Sequence, residues 1–301
     1  MSDGAIQDLI HRMEALIHQD VGRNAGALFQ ATRGNLAAAA HAIASQEFPR
    51  VGLLTGFYVP FGEPPAAETD GPVGSTLIAA ALTEAGVPCR ILTDAPCASG
   101  CIAALRAAGM ENHVALDVVG VDAPLGGMIA TWRQAGVTTA LAIERCGSSA
   151  NGPPRNMRGV DISPHTAPLD ELFVAGPWST IAIGDGGNEL GFGALPRHLI
   201  SAHVANGALI ACVTPADHLV LAGVSHWACY ALIGALAALR PEWQEPMKRW
   251  LDPATDAAIL QYMMVHGPAV DGVTQRQTHT IDAIGMSVHH DKLRAIAALL
   301  D

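Results

Sequence analysis

Residues 51–93 read VGLLTGFYVPFGEPPAAETDGPVGSTLIAAALTEAGVPCRILT, and this stretch decides the fold. The short apolar run Val51–Thr55 predicts a buried strand, which a loop rich in Gly and Pro follows. Pro72–Ala85 is rich in alanine and begins with a proline, which is typical of the first turn of a helix. Arg90–Thr93 predicts a second strand. A strand, a helix and a strand in this order indicate a crossover unit of a parallel sheet.

The same alternation continues towards the C-terminus. Further strands are predicted at Val114–Val119, Thr138–Ile143, Thr180–Ile183 and Leu209–Val213. Further helices are predicted at Ser99–Ala108, Pro124–Ala135 and Leu195–Ala205. We therefore predict an α/β fold with a mostly parallel sheet of about six strands in a three-layer α/β/α arrangement. Such a sheet binds its ligands at the carboxyl ends of its strands.

Extra helices are expected at both ends of this core. Residues 1–50 predict a helical extension, because Ile6–Ile17 has its apolar side chains at helical spacing. Residues 214–301 predict mainly helical cover, with helices at Trp227–Leu239, Thr255–Val265 and His290–Leu300. No Ser-, Gly- or charge-rich linker interrupts the sequence, so we expect a single domain over residues 1–301.

Composition and charge exclude several classes of protein. Half of the residues are hydrophobic, which excludes a disordered chain. The 28 acidic and 17 basic residues give a net charge of −11, which argues against a nucleic-acid partner because phosphates require clustered Lys and Arg. The six cysteines form no CxxC pair, which is typical of reduced thiols in a cytoplasmic protein. No membrane is expected, because Ala228–Leu239, the longest apolar stretch, is too short to span one and the N-terminus does not resemble a signal peptide.

The loop Thr55–Ser75 carries the first group of polar residues that follows a predicted strand. Glu68 and Asp70 lie just before the helix that begins at Pro72. Asp70 has two interpretations: it caps this helix, or the helix N-terminus stays open and binds a carboxylate or phosphate of a substrate. Glu68 has no role as a cap, although solvated loop acids are common.

The loop Glu144–Ser163 concentrates positive charge in a chain that has few basic residues. It carries three arginines interleaved with two asparagines and one aspartate: Arg145, Arg155, Arg158, Asn151, Asn156 and Asp161. A guanidinium group binds a carboxylate through two parallel hydrogen bonds, so this loop is typical of a site for a di-acid. The alternative is a loop held together by its own Arg–Asp pairs.

The loop Ile183–Gly193, IGDGGNELGFG, is the third polar loop after a strand. Glu189 stands where a dinucleotide-binding fingerprint has its third glycine, so we expect no nucleotide cofactor. Asp185, Asn188 and Glu189 present oxygen ligands of the kind that Mg²⁺ or Mn²⁺ prefers, and Asp185 and Glu189 are the predicted metal ligands. The alternative is a Gly-rich turn with a capping aspartate.

Five motifs resemble those of one protein family. They are TGF (Thr55–Phe57), ETDGPVG (Glu68–Gly74), ERCGSSANG with NMRGVDIS (within Glu144–Ser163), IGDGGNELGFG (Ile183–Gly193) and DGVT (Asp271–Thr274). In this order they are similar to the D-glutamate cyclase-like domain. The resemblance implies a carbon–oxygen lyase that cyclises D-glutamate, or a related amino di-acid, to 5-oxo-D-proline with loss of water.

The loops and the resemblance together suggest roles for individual residues. Asp185 and Glu189, with Asn188, would hold or orient a divalent metal that polarises the reacting carboxylate. Arg145 and Arg158 would bind the α-carboxylate of the substrate, and Glu68 or Asp70 would be the general base. The remaining candidates for substrate binding lie in the same motifs: Thr55, Gly71, Asn156 and Asp161. The late polar segment Asp271–Asp282 is predicted to fold back over the site.

Two other functions use the same loops. The first is metal-dependent hydrolysis of a small lactam, lactone or amide, with water as the nucleophile. The second is a non-catalytic domain that binds an acidic metabolite. All three interpretations share a small acidic metabolite as the ligand, and the many apolar helical faces predict a homo-oligomer.

Overall fold

The computed structural model describes residues 2–301 and contains a six-stranded parallel sheet. The strands are β1 (Val51–Thr55), β2 (Cys89–Asp94), β3 (Ala115–Val119), β4 (Thr139–Ile143), β5 (Ser179–Gly184) and β6 (His218–Leu221). Their order in the sheet is β3-β2-β1-β4-β5-β6, and all neighbouring strands run parallel. The chain winds outward from β1 in one direction and then from β4 in the other. A crevice therefore opens between β1 and β4 at their carboxyl ends, where ligands bind in sheets of this kind.

Thirteen α-helices surround the sheet in the described part of the chain. They are α1 (Asp3–Ile17), α2 (Gly26–Ala31), α3 (Asn35–Ala44), α4 (Pro72–Glu84), α5 (Ala98–Ala107), α6 (Gly126–Gln134), α7 (Asp170–Ala175), α8 (Arg197–His203), α9 (Gly207–Ile210), α10 (Ser225–Leu239), α11 (Gln244–Trp250), α12 (Pro253–His266) and α13 (Met286–Ala297). Two short antiparallel ladders join Tyr58–Val59 to Ala66–Ala67 and Thr280–Ile281 to Ile284–Gly285.

Hydrophobic cores cover both faces of the sheet. Successive side chains of a strand point to opposite faces, so Leu53 and Leu54 belong to different cores. One core contains side chains of α1, α3, α4, α5 and α10–α13, and the other contains those of α2, α6, α7 and α8. Nearly every residue of α10 is buried, because this helix lies between the sheet and the outer helices. The predicted α/β fold with a mostly parallel sheet is confirmed.

The prediction of the sixth strand is wrong in position. Leu209–Val213 was expected to be a strand, but Gly207–Ile210 forms a short helix that Asn206 precedes in a left-handed conformation. The sixth strand is His218–Leu221, inside the region predicted to be helical. Short apolar runs fit a strand or a helix equally well, and tertiary contacts decide between them. Here the Asp217 carboxylate accepts hydrogen bonds from the Thr180 backbone N–H and hydroxyl and so fixes β6 beside β5.

The N-terminal helices are part of the main core. Ile10 and Met13 of α1 and Ile43 of α3 are fully buried in the core that contains α10. The buried Glu14 carboxylate accepts hydrogen bonds from the backbone N–H groups of Gly34 and Leu36 and thereby ties α1 to the start of α3. All six cysteines are buried and free, as expected of reduced thiols. None of the helices formed by residues 2–301 has the length and hydropathy of a membrane-spanning segment.

Candidate active site

A cavity of about 270 Å³ lies beside the carboxyl ends of β1, β4 and β5. Its walls come from the three polar loops after these strands, from residue 23 and from the segment 272–282. The structure therefore brings the three loops together, as predicted. Five acidic side chains line the cavity: Glu68, Glu144, Asp185, Glu189 and Asp282.

The loop after β5 is built around the Glu189 carboxylate. This carboxylate accepts hydrogen bonds from three backbone N–H groups, those of Asp185 at 3.2 Å, Gly186 at 2.7 Å and Gly187 at 2.7 Å. The side-chain amide of Asn188 donates to the Arg155 carbonyl at 2.7 Å and so connects this loop to the loop after β4. Both predicted metal ligands, Asp185 and Glu189, therefore lie in one hydrogen-bonded turn.

Asp185 lies between two different groups of partners. Its Oδ2 accepts a hydrogen bond from the backbone N–H of Ser225, the first residue of α10, at 2.8 Å. The Ser225 hydroxyl also donates to the Glu144 carboxylate. On the other side, Asp185 Oδ1 pairs with the Arg23 guanidinium. The two oxygens of Asp185 thus have separate surroundings.

Glu144 directly follows β4 and has an unusual backbone conformation. Its φ of 47° lies in the left-handed region, which costs a non-glycine residue about 1–2 kcal/mol. Such conformations persist where the surrounding structure enforces them, and they cluster at functional sites. The backbone N–H of Glu144 bonds to the Ile183 carbonyl at 3.1 Å, and its side chain lines the cavity.

The segment Asp271–Asp282 folds back over the cavity, as predicted. The buried Asp271 carboxylate holds it in place by accepting hydrogen bonds from the backbone N–H groups of Val273, Thr274 and Ala283 and from the Thr280 hydroxyl. The adjacent Asp282, with a φ of 56°, lines the cavity and pairs with Arg23 at 2.8 Å.

Glu68 and Asp70 are buried acids with few partners. The Glu68 carboxylate lines the cavity and accepts no hydrogen bond from any of residues 2–301. Gly272 lies directly against it, where a side chain would overlap the carboxylate. Asp70 Oδ1 accepts a hydrogen bond from Gly71 at 2.7 Å, whereas its buried Oδ2 has no partner among these residues. The residue that caps α4 is Gly71, so Asp70 is not the helix cap that one interpretation expected.

Burial and like charges perturb these acids strongly. Burial, together with the neighbouring carboxylates, raises the pKa values of Glu68 and Glu144 well above their usual range. Burial also raises the pKa of Asp185, although the Arg23 charge opposes it. The pKa of Asp70 rises to about 7 because of burial and the charge of Asp282. The cavity therefore favours an added proton or cation.

Two groups of carboxylates in or beside the cavity have the spacing of metal ligands. Asp70, Asp185 and Asp282 each offer one oxygen within 4.8 Å of the others, and so do Glu144, Asp185 and Glu189. Carboxylate oxygens at this spacing suit Mg²⁺ or Mn²⁺. Asp185 belongs to both groups.

Arg145 is a structural residue, which corrects its assignment to substrate binding. Its side chain is 0% exposed and pairs with Asp94 at 2.6 Å. It also donates to the carbonyls of Gly56 at 2.9 Å and Ala167 at 2.6 Å. Arg145 is the second residue after the central strand β4, and its buried side chain connects the loops that contain Gly56 and Ala167.

Three other predicted substrate-binding residues also lie outside the cavity lining. Asp161 belongs to an exposed turn, where it accepts hydrogen bonds from the backbone and hydroxyl of Ser163. Thr55 and Gly71 are buried beside Glu144. Gly71 has a φ of 85°, and a Cβ there would lie 2.7 Å from Thr55 Oγ1, so only glycine fits.

Arg158 and Asn156, two of the predicted substrate-binding residues, line the cavity. The Arg158 guanidinium is exposed and donates to the Val273 carbonyl at 3.2 Å, which connects two walls of the cavity at its mouth. Asn156 Oδ1 accepts hydrogen bonds from the backbone N–H groups of Arg158 and Val160, both at 3.0 Å. Asn156 thus shapes the loop that presents Arg158.

The sequence reasoning did not assign Arg23, Glu144 or Asp282 to the site. Glu144 could have been identified from the sequence, because it directly follows a predicted strand and strand ends bind ligands in sheets of this kind. Asp282 lies at the end of a segment expected over the site. Arg23 lies between α1 and α2, and no local pattern marks it.

The profile of the family described as "D-glutamate cyclase-like, C-terminal" matches residues 13–297. The chain belongs to this family. It is also similar to the human protein named "D-glutamate cyclase, mitochondrial", with 32% identity over 209 residues. This match covers 62% of the chain but only 32% of the human protein, so the activity of the whole human protein does not transfer directly. Because that relative is named mitochondrial, the expected cytoplasmic location stays a prediction.

Proposed function

We propose that this family member is a lyase that cyclises D-glutamate, or a related amino di-acid, to 5-oxo-D-proline or the corresponding lactam, with loss of water. The observation that carries the proposal is the buried cavity in which acids of three loops face one another, with arginines at its wall and mouth. The name of the human relative supports the choice of substrate class.

Glu68 is the proposed general base. Cyclisation requires a neutral α-amine, so a carboxylate must take a proton from the ammonium group. Glu68 faces the cavity without a hydrogen-bond donor, and its raised pKa makes it a stronger base than an ordinary carboxylate. Asp70, the other predicted base, is less suitable because one of its oxygens is engaged by the Gly71 backbone.

Asp185 and Glu189 are the proposed metal ligands, and Glu144 is added to them. A bound Mg²⁺ or Mn²⁺ would neutralise the γ-carboxylate of the substrate and stabilise the oxyanion that forms when the amine attacks. The residues fit such an ion because they supply only oxygen atoms, and backbone N–H groups hold the Glu189 carboxylate in place in the turn after β5. Asn188 orients this turn through its hydrogen bond to the loop after β4.

Arg158 is the proposed partner of the substrate α-carboxylate. It is the arginine that remains at the mouth once Arg145 is assigned to the core. A guanidinium group at the entrance also attracts an anionic substrate towards an otherwise acidic cavity.

The test is incubation with D-glutamate, L-glutamate, 5-oxoproline and related lactams, with and without Mn²⁺, followed by mass spectrometry. We expect loss of water from D-glutamate with the wild-type protein and with Asp161→Asn, which changes an exposed aspartate outside the cavity. Asp185→Asn should abolish turnover.

Two results would replace the proposal. Opening of a lactam, lactone or amide without any cyclisation of glutamate would favour the metal-dependent hydrolase, whose water nucleophile the same carboxylates would activate. Tight binding of an acidic metabolite with no product after long incubation would favour the non-catalytic domain.

A further inference from the structure

We propose that the cavity holds two divalent cations bridged by Asp185. One lies among Glu144, Asp185 and Glu189, and the other lies among Asp70, Asp185 and Asp282. This inference deepens the metal-binding part of the proposed function and rests on it, but it does not depend on which substrate the protein uses.

The two oxygens of Asp185 have different partners, and each partner also contacts a carboxylate of one of the two groups. Oδ2 is the atom that Ser225 contacts, and Ser225 also contacts Glu144 of the first group. Oδ1 is the atom that pairs with Arg23, and Arg23 also pairs with Asp282 of the second group. A carboxylate with one oxygen towards each of two cations is the arrangement of two-metal sites, whose ions lie about 3.5–4 Å apart.

Unpartnered buried groups give a second, independent indication of a ligand. Asp70 is only 1% exposed, and its Oδ2 has no hydrogen-bond partner among residues 2–301. Glu68 is 7% exposed, and its carboxylate faces the cavity without a donor in the same part of the chain. A buried polar atom without a partner is unfavourable, so the Asp70 carboxylate of the second group favours a ligand that supplies positive charge.

The cavity carries an excess of acidic side chains, which favours bound cations. Six carboxylates lie at the cavity when Asp70 is counted with the five that line it, and Arg23 and Arg158 are the two arginines in its lining. The acidic side chains therefore outnumber the arginines by four, so bound divalent cations would reduce a large excess of negative charge. A single ion would leave an excess that repels a di-acid substrate.

The Arg23 side chain lies among the carboxylates of the second group in this structure, and a neighbouring cavity gives it space to move away from them. Its side chain separates the main cavity from a neighbouring one of about 330 Å³, which Asn24, His203 and Ala205 also line. Arg23 lies in the segment between α1 and α2, outside any helix. We infer that the second cation displaces the guanidinium towards this neighbouring cavity.

The experiment is a titration of the metal-free protein with Mn²⁺, read by electron paramagnetic resonance and by metal analysis after equilibrium dialysis. Wild-type protein should bind two Mn²⁺ per chain and give a spin-coupled signal. Asp282→Asn and Glu144→Gln should each bind one Mn²⁺ without coupling, whereas Asp161→Asn should keep two. Arg23→Gln should tighten the weaker site at least tenfold, because the competing guanidinium is gone.

Binding of one Mn²⁺ or none by the wild-type protein would overturn the inference, and so would two coupled ions in Asp282→Asn. Circular dichroism of each variant checks that lost binding does not come from unfolding. Two coupled ions without any cyclised product would leave the metal site intact and contradict only the proposed reaction. Cyclised product from a wild-type protein that binds a single ion would overturn the two-cation inference and leave the proposed reaction intact.

Discussion

Two buried acids in this protein, Asp256 and Glu68, have opposite surroundings. The Asp256 carboxylate accepts hydrogen bonds from His226 at 2.9 Å and Tyr230 at 2.8 Å, and His290 Nε2 lies 3.3 Å away. Burial alone would raise its pKa, but the charge and hydrogen bond of His226, with the other donors, hold the pKa well below its usual range. Glu68 has no donor, and burial raises its pKa.

Asp256 is an example of a buried acid that stabilises the fold, and Glu68 is an example of a buried acid that serves function. A buried acid with a full set of donors stabilises the fold, and the Arg145–Asp94 pair belongs to the same class. A buried acid without donors destabilises the fold unless a ligand compensates it. Proteins keep such unfavourable groups where activity requires them.

The largest effect is expected for Glu68→Gln. Loss of the general base should lower the rate of product formation about 10²–10⁴-fold. The free energy of unfolding of the metal-free protein should not fall, because glutamine removes a buried charge that has no partner. Product formation by mass spectrometry and urea denaturation of the same preparation measure the two quantities. A lower free energy of unfolding in Glu68→Gln would contradict this and show that Glu68 stabilises the fold, as Asp256 does.

For Arg145→Met, in contrast, the expected change is a loss of stability. Removal of one partner leaves Asp94 buried and unpaired, which should lower the free energy of unfolding by about 3–5 kcal/mol. Urea denaturation measures the loss. Asp161→Asn is the matched control and should change stability by less than about 0.5 kcal/mol. An unchanged unfolding midpoint in Arg145→Met would contradict the structural assignment.

A smaller effect is expected in the pH dependence of stability. The lowered pKa of Asp256 contributes stability above about pH 4, and this contribution is lost as the pH falls through the folded-state pKa. The pKa of His226 is raised by Asp256 in spite of burial, so its contribution is present below about pH 6.5 and is lost as the pH rises through its folded value. Wild-type protein should therefore exceed Asp256→Asn in stability most clearly between about pH 4 and 6.5. Denaturation curves from pH 2 to 9 test this, and a constant difference over the whole range would contradict it.

The sequence predicted the sheet and the three loops because both depend on local patterns. Apolar runs followed by polar residues located the ends of β1, β4 and β5, and with them Glu68, Asp185 and Glu189. The strand β6 was misplaced because its four residues carry too short a pattern to compete with the apolar run at Leu209–Val213.

The remaining site residues depend on contacts that are distant in sequence. Arg23 lies in the segment after α1, which packs against α10, and it pairs there with Asp185. Asp282 lies in a segment that the Asp271 carboxylate holds through hydrogen bonds. Arg145 failed as a substrate ligand for a related reason. Its type and loop suggested a carboxylate partner, and it has one, but the partner is Asp94 of the protein itself.

The central claim is that Glu68, a cavity acid without a hydrogen-bond donor, is the general base of the reaction. Its most direct test is to follow D-glutamate by mass spectrometry, with Mn²⁺ present, in parallel reactions of the wild-type protein, Glu68→Gln and Asp161→Asn. The account predicts 5-oxoproline from the wild-type protein and from Asp161→Asn, and almost none from Glu68→Gln although it remains folded. Equal product formation by all three proteins would contradict it.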